Sequence, residues 1–576
     1  MTTKLLKCVA VGAAVIFGSI GFEAQAAWTY DSGAGTLSDG DYTFNVKVVT
    51  LDDPSASGTS VEGLQITGLA TAGTGETIDF TSAELDTGYD VISISAPRFL
   101  NEAPCTTFIA PAVMSLGQQA FQSNTKIENV TVSDKITTFG YLTCSGASNL
   151  KTFLPTRLPY IVEMTGNSAG QAFYGAKGLT GDFDFPNMTK IENQVFYQTS
   201  ITSVKMPKIQ VVGAHSFREC KKLTGDLKFD DLESIGHCAF MGCGITSFVA
   251  PKAMLTSDGY QFGGCGSLTN VVVSQENTVI GWNAFSSCAI TSFDAPKATT
   301  IGACAFQNCQ SLTNINASLV TTLGDSAFYI CKKLEKLDMP KLVSIGSSGV
   351  RDTALKELIA PGVTKIGAYT FMGCKSITNI QLGASCATNY GEWAYKSCEK
   401  LAKLEPWPSF LNLTNTYDNK GNVFLIDPLS ECNSLVGSIE LSGPAGLHTI
   451  PSGWMNSCNN ITSITIRTPW ITNVVNWTVR DLAPGAVIYW NTQKAPISFG
   501  RAFFSKDKNN RARIIVKGDV SGWGNTVYSA ALTELTDTDK KRSDWPGKRT
   551  FGLITNPDAT PTYLVDGRSG LCIRIQ

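Results

Sequence analysis

Ile301-Gly302-Ala303-Cys304-Ala305-Phe306-Gln307-Asn308-Cys309-Gln310-Ser311-Leu312-Thr313-Asn314-Ile315-Asn316-Ala317 holds a phenylalanine followed three residues later by a cysteine. The same pair stands at Phe217/Cys220, Phe240/Cys243, Phe262/Cys265, Phe285/Cys288, Phe328/Cys331 and Phe371/Cys374, a period of 21 to 24 residues with one unit passed over before the last pair. Such a period is too short for a helix pair or a propeller blade. Each unit is therefore one coil of a solenoid that buries its apolar side only against neighbouring coils. Length agrees, because 576 residues would ordinarily divide into several domains, whereas a solenoid lengthens without enlarging its core cross-section. Charged residues at 16% together with 53 glycines argue for an ordered, turn-rich array.

Within the quoted coil, Leu312, Ile315 and Ala317 follow an L-x-x-L-x-L spacing. The last two alternate as a short strand whose inward side chains stack on their equivalents one coil away, which leaves Asn314, Asn316 and Ser318 facing solvent. Gly302 recurs behind an aliphatic residue as Gly213, Gly236, Gly281, Gly324, Gly346 and Gly367. A tight bend or a close backbone approach favours a missing Cβ there, and a turn is the expected cause. Pro186, Pro207, Pro251, Pro296, Pro340 and Pro361 fall just past the strand, where a missing N–H is tolerated. Three units carry an extra residue, Leu179-Thr180-Gly181-Asp182-Phe183, Leu223-Thr224-Gly225-Asp226-Leu227 and Leu435-Val436-Gly437-Ser438-Ile439, and local bulges are expected at each.

The unit Ile-Gly-x-x-Ala-Phe-x-x-Cys-x-x-Leu-x-x-Ile-x-x-Pro resembles the BspA-like, or Treponema pallidum type, leucine-rich repeat, matched at Ile235 to Pro251, Ile280 to Pro296 and Leu323 to Pro340. The resemblance covers residues 96–515, with degenerate coils at Gln171 to Pro186, Leu429 to Leu441, Ile450 to Ile466 and Phe499 to Phe503. It implies an α/β-type repeat solenoid, mostly strand and turn, curved, with a parallel strand ladder, exported and used for adhesion or binding at cell surfaces. Residues 27–95 lack the repeat but hold strand-like segments at Tyr42 to Leu51 and Val61 to Ile66, so a β-rich N-terminal cap is expected. Residues 516–576 are read as a C-terminal capping or tail region. Arg513 to Val516 resembles a closing strand, and Leu571 to Ile575 is a last short apolar strand signal.

Lys4 and Lys7 precede an apolar run from Val9 to Phe22, and Ala24-Gln25-Ala26 fits signal peptidase, so residues 1–26 read as a signal peptide. A secreted or cell-surface location follows, with no membrane insertion expected after cleavage. Removing two lysines and one glutamate from 46 basic and 48 acidic residues leaves 44 and 47, a net charge of −3. That balance offers no electrostatic case for nucleic acid or an anionic membrane.

Seventeen cysteines in an exported chain would ordinarily mean a disulfide framework. Position argues otherwise. Cys144, Cys220, Cys243, Cys265, Cys288, Cys309, Cys331, Cys374, Cys398, Cys432 and Cys458 are read as one ladder, placed three residues before the Leu or Ile of the coil, or two at Cys243 and Cys288. Coils about 4.8 Å apart leave parallel Cβ atoms wider than the usual ~3.8 Å of a disulfide, so buried thiols are expected. Cys105, Cys238, Cys304, Cys386 and Cys572 lie off the ladder and are the better candidates for pairing. No zinc site is expected, because no C-x-x-C pair occurs and ladder ligands would be strung along the axis.

His215, His237 and His448 are the only histidines, and the first two precede the repeat phenylalanine at different offsets, so no catalytic constellation can be assembled from them. Asp52/Asp53, Asp182/Asp184 and Asp230/Asp231 are near neighbours that do not demonstrate a cleft flanked by two carboxyl groups. Phosphate-cradling glycine motifs are absent. Trp282, Trp393 and Trp454 could line a sugar platform, though packing within coils is the preferred account. No enzyme activity, cofactor or metal is expected.

The solvent side of the strand ladder supplies the candidate contact surface: Lys205, Asp294, Asn314, Asn316, Lys336, Asp338, Glu357, Asn379 and Gln381 project from it by alternation. Short, mixed polar side chains suit hydrogen bonding to an extracellular protein or glycan more than grasping a small ligand. The leading expectation is a monomeric adhesion or binding module. A structural surface-layer or matrix component without a specific ligand is the alternative.

Overall fold

The computed structural model describes residues 27–406 apart from 84–86, 165–169 and 388, then residues 429–441 and short stretches and strands as far as residue 575. The expected signal peptide lies outside the described residues, as do His448, Trp454 and the side chain of Cys572. The coils build two parallel ladders. One is built from two-residue strands such as Val279–Ile280, Thr300–Ile301, Thr322–Leu323, Ser344–Ile345 and Lys365–Ile366, paired in that order. The other is built from the L-x-x-L-x-L strands, for example Ser292–Asp294 beside Asn314–Asn316 and Glu357–Ala360 beside Asn379–Leu382 and Lys403–Glu405. Ile315 and Ala317 are 4% and 1% exposed while Asn314 and Asn316 are exposed, so the alternation expected from sequence is present.

Between the ladders runs the phenylalanine spine. Phe196, Phe217, Phe240, Phe262, Phe285, Phe306 and Phe328 are buried, with successive ring centroids 5.3 to 5.7 Å apart and planes within 15° of parallel. Parallel rings at that separation are offset, the arrangement aromatic quadrupoles favour. Val350 occupies the next position, and the stack resumes between Phe371 and Tyr395 at 5.6 Å. Burying each ring contributes roughly 1.5–3 kcal/mol of transfer free energy. No coil can realise it alone.

The recurring glycines have a cause other than a bend. None of Gly213, Gly236, Gly324 or Gly346 has a left-handed φ, but a Cβ on Gly236 would sit 2.6 Å from Ala214 N, and one on Gly346 would sit 2.6 Å from Asp325 N. Glycine is required because each coil lies against the backbone of the preceding one at this point. The inserted glycines are bulges as expected at two places. The register shifts between Gly225 and Asp226 and between Gly437 and Ser438, both glycines having positive φ. Gly181 (φ 122°) precedes the strand Asp182–Asp184.

The α/β label does not hold. Among the described residues helix is limited to the 3-10 turn Ala384–Ala387 and a single turn around Ala83. The stretch around each phenylalanine is a run of tight turns with two left-handed residues per coil, such as Cys304 (φ 55°) and Asn308 (φ 60°). Left-handed residues end any α-helix. The turn N–H groups instead bond the next coil: those of Cys304, Phe306 and Asn308 donate to the carbonyls of Asp325, Ala327 and Tyr329 at 2.8, 2.9 and 2.7 Å.

The ladder thiols complete that network. Cys309 Sγ donates to the Phe285 carbonyl at 3.0 Å and Cys331 Sγ to the Phe306 carbonyl at 3.1 Å, and the same bond recurs at Cys220, Cys243, Cys265, Cys288, Cys374, Cys398, Cys432 and Cys458. Every cysteine with a described side chain is free. Cys144 is misplaced in the sequence reading. Its N–H donates to the Ala172 carbonyl just as Phe121 N–H donates to that of Thr143, so it fills the phenylalanine position and Ala147 the ladder position. The pairing expected for Cys105, Cys238, Cys304 and Cys386 is absent. Cys105 and Cys386 spend their thiols on the carbonyls of Thr107 and Val363, both at 3.2 Å. Cys238 and Cys304 share one column but stand three coils apart, roughly 14 Å at the spacing of paired strands and beyond the ~7 Å reach of a disulfide.

At the N-terminal side, Thr29–Asp31, Thr36–Ser38, Thr43–Asp52 and Ser60–Thr71 form an antiparallel meander. Its last strand pairs in parallel with Val91–Ile94, which leads into Ser115–Leu116 of the coils. Toward the C-terminus, Arg513–Val516 pairs in parallel with Cys572–Ile575, which in turn pairs antiparallel with Thr562–Asp566.

Candidate binding face

The outward side chains of the L-x-x-L-x-L strands form two columns, because parallel register places equivalent residues of successive coils side by side. Asp184 stands next to Lys205, Ser292 next to Asn314, Asp294 next to Asn316, Glu357 next to Asn379, and Ile359 next to Gln381. Lys205, Asp294, Asn314, Asn316, Lys336, Asp338 and Glu357 are exposed, while Asn379 and Gln381 are half-buried. Eight of the nine belong to consecutive coils between Asp294 and Gln381. Lys205 is separate, on the far side of the strands Thr224–Lys228, Gly244–Val249 and Asn270–Val272.

Lys336 and Asp338 are not on a strand. Leu334 to Met339 keeps the alternation, with Leu337 and Met339 buried at 6% and 3%, but it pairs with neither neighbour, so the ladder is interrupted there.

Hydrogen bonding divides the face. Below residue 272 the outward polar groups are tied to one another across coils. Thr202 Oγ1 and Ser203 Oγ donate to Asp182 Oδ1 at 2.6 and 2.8 Å, Thr246 Oγ1 donates to Asp226 Oδ1 at 2.8 Å, and Asn270 Nδ2 donates to Ser247 Oγ at 3.0 Å. The Thr202 bond, followed by that from Ser203, holds the Asp182 carboxyl below its usual range. Between Asp294 and Gln381 one such bond remains among the described residues, from Lys356 Nζ to Glu335 Oε2 at 2.5 Å. The side chains of Asp294, Asn314, Asn316, Lys336, Asp338, Glu357 and Gln381 form no hydrogen bond or ion pair among the described residues, and Asn379 Oδ1 is buried without a partner. Ile359, 52% exposed, adds an apolar group that the list of polar positions passes over, although the alternation around buried Leu358 already places it outward.

The tryptophans diverge. Trp282 is 61% exposed and does not pack as expected, whereas Trp393 is half-buried under Lys396, whose Nζ lies 4.1 Å from the ring centroid.

Away from this face, on the turn side of the coil, the structure joins residues that the offsets in sequence had kept apart. His215 N–H donates to the His237 carbonyl at 2.8 Å, and the ligating atoms of His215, His237 and Cys238 lie within 4.8 Å of one another. Counting from the coil glycine rather than from the phenylalanine would have found this, since His215 and Cys238 are each two residues past Gly213 and Gly236.

The BspA type leucine-rich repeat region matches the chain as six copies over residues 77–180, 189–313 and 299–419, more than half of its length, and the chain belongs to that family. Solved structures similar to it include a leucine-rich repeat protein from Bacteroides ovatus, 18% identical, with 77% of this chain and 93% of that one covered at a TM-score of 0.34. A leucine-rich cell surface protein from Faecalibacterium prausnitzii is 17% identical over 77% of this chain and 94% of that one, TM-score 0.25. The pneumococcal vaccine antigen PcpA is 11% identical over 86% and 97%, also at 0.25. No curated protein matches the chain. No helix among the described residues is long and apolar enough to cross a membrane.

Proposed function

We propose that this chain is an exported or cell-surface binding protein, monomeric and without catalysis, that docks an extracellular protein or glycan on the strand face from Asp294 to Gln381. The observation that carries the reading is the contrast in hydrogen bonding along one continuous face: Asp182, Thr202, Ser203, Asp226, Thr246, Ser247 and Asn270 are spent on each other below residue 272, whereas among the described residues Asp294, Asn314, Asn316, Lys336, Asp338, Glu357 and Gln381 are left unspent, the Glu335–Lys356 pair beside them excepted. Unspent donors and acceptors beside an exposed Ile359 are what a partner's polar groups and apolar atoms need. Membership of the BspA type family supports a surface location, and the leader-like residues 1–26 support export. In this reading the antiparallel meander within residues 27–95 caps the first coil, residues 96–515 carry the repeats, and residues 516–576 close the other end.

A screen of the purified chain against glycan and extracellular-protein arrays tests the proposal. Saturable binding to a defined class supports it. Ordered self-assembly with no ligand on any array would overturn it in favour of a structural surface-layer or matrix role.

A further inference from the structure

We propose that His215, His237 and Cys238 form a metal site between two adjacent coils, taking a zinc-class divalent cation with the fourth position left to solvent. The site lies on the turn side of the coil and is independent of the binding face. Two imidazoles and a thiolate are ligands for a borderline-soft ion, and four-coordinate zinc at ~2.0–2.3 Å from each donor sets those donors about 3.3–3.6 Å apart. The three ligand atoms already stand within 4.8 Å of each other, so side-chain torsions can close the remainder.

Backbone register makes this convergence reproducible. His215 and Cys238 occupy the same left-handed position of successive coils, at φ 57° and 53°, and His237 stands immediately before Cys238. The His215 N–H bond to the His237 carbonyl locks the two coils at that point.

Two further observations point to a ligand. His237 Nδ1 lies 3.0 Å from the Asp258 carbonyl, which can only accept, so Nδ1 carries the proton and Nε2 keeps a bare lone pair. Orientation of a ligating histidine by a carbonyl in this way is the common outer-shell arrangement. Among the described residues the Cys238 thiol, 3% exposed, has no hydrogen-bond acceptor, whereas each thiol of the Cys220 to Cys458 ladder donates to a carbonyl.

Arg218 is the competitor. Its Nη1 sits 3.3 Å from His215 Nδ1, a contact in which the ring nitrogen must accept. A metal on Nδ1 would take that lone pair, and a metal on Nε2 would move the proton to Nδ1. Either way Arg218 has to withdraw. It is loosely held, with Nε buried and unpartnered, and the Tyr197 ring is already 5.8 Å from its Cζ.

The test is titration of the reduced, chelator-stripped full chain with Co(II), then Zn(II), the metal alone serving as probe. One equivalent of Co(II) is expected, giving the intense visible bands of a four-coordinate ion and a near-ultraviolet thiolate charge-transfer band, with Zn(II) displacing it. Cys238→Ser removes the charge-transfer band. His215→Ala and His237→Ala each weaken uptake by ~100-fold or more, Arg218→Gln tightens it severalfold, and Cys304→Ser and His448→Ala leave it unchanged. Substoichiometric uptake by the wild-type chain overturns the proposal, as does full uptake by variants that remain folded by circular dichroism. If a variant does not fold, the wild-type answer still decides: zinc at micromolar excess raises Tm if the site exists and leaves it unmoved if it does not.

Discussion

Replacing Gly324 by alanine and, separately, Gly266 by alanine adds the same methyl group with opposite expected consequences. At Gly324 the new Cβ would lie 2.5 Å from Ala303 N, 2.7 Å from Gly302 C and 2.9 Å from Ala303 Cα. All three atoms are backbone, so no side-chain rotation relieves the overlap. The coils would have to separate by roughly 1 Å to restore the ~3.5–4.0 Å of ordinary contact. That separation is opposed by the Gly324 N–H bond to the Ile301 carbonyl at 2.8 Å and by the stack of Phe306 on Phe328 at 5.4 Å. Overpacking of this kind costs about 1–3 kcal/mol, offset by about 0.4–1 kcal/mol from the lowered entropy of the unfolded chain, for a net loss of roughly 1–2 kcal/mol. At Gly266 nothing lies within 4 Å and φ is not left-handed, so only the entropic gain of about 0.4–1 kcal/mol remains. Guanidinium unfolding of both variants gives the midpoints. Hydrogen exchange locates the damage, because a solenoid loosens first beside the altered coil. Equal midpoints for the two variants, or unchanged protection across residues 301–331 in Gly324→Ala, would refute the view that these glycines exist to let coils approach.

Two other outcomes follow from the titrating groups. Burial pushes the Cys220, Cys265 and Cys309 thiols up to about 12, so an alkylating reagent at pH 7–8 should label half-exposed Cys304 first and the ladder only after denaturation; scarce labelling after non-reducing denaturation would mean disulfides instead. The Asp53 carboxyl is held down from 3.8 to about 2, first by Ser55 and then by Lys135, whose Nζ is 2.9 Å away and ties the meander to a coil. A depressed carboxyl stabilises above its unfolded pKa and loses that contribution as pH falls through the folded one, so exchange protection of residues 53–59 should fall between pH 4 and 2. Asp53→Asn should abolish that pH dependence, and an unchanged acid transition in the variant would contradict the assignment.

The period of Phe and Cys was enough to read the coil, the inward positions and the outward columns, because a stacked repeat forces equivalent residues into register. What escaped the sequence was set by conformation, not by residue type. Left-handed φ at residues such as Gln119, Gln194, Tyr260 and Tyr369 is unusual outside glycine, asparagine, aspartate and histidine, and it turned an expected α/β coil into tandem turns. Cys144 was taken for a ladder residue because no phenylalanine marks its coil, and only the hydrogen bond to Ala172 shows which position it fills. The missing strand at Lys336 and Asp338 was invisible, since their alternation matches that of paired coils. The candidate residues were legible as outward-facing. Which outward side chains are bonded across coils, and which are free, depended on distances that spacing does not encode.

The most direct test of the account measures affinity for an array-identified partner alongside thermal unfolding, using Asn314→Ala with Asn316→Ala and Lys336→Ala with Asp338→Ala. Both pairs are exposed and free of hydrogen bonds among the described residues. Stability should shift by no more than about ±0.5 kcal/mol, while at least one pair weakens binding by about 2 kcal/mol, roughly 30-fold in Kd. The corresponding change at Asp182 and Ser203, whose side chains are bonded to each other, should leave Kd unaltered. Partner affinity that withstands both pairs and falls instead with the Asp182 and Ser203 change would contradict the assignment of the face from Asp294 to Gln381.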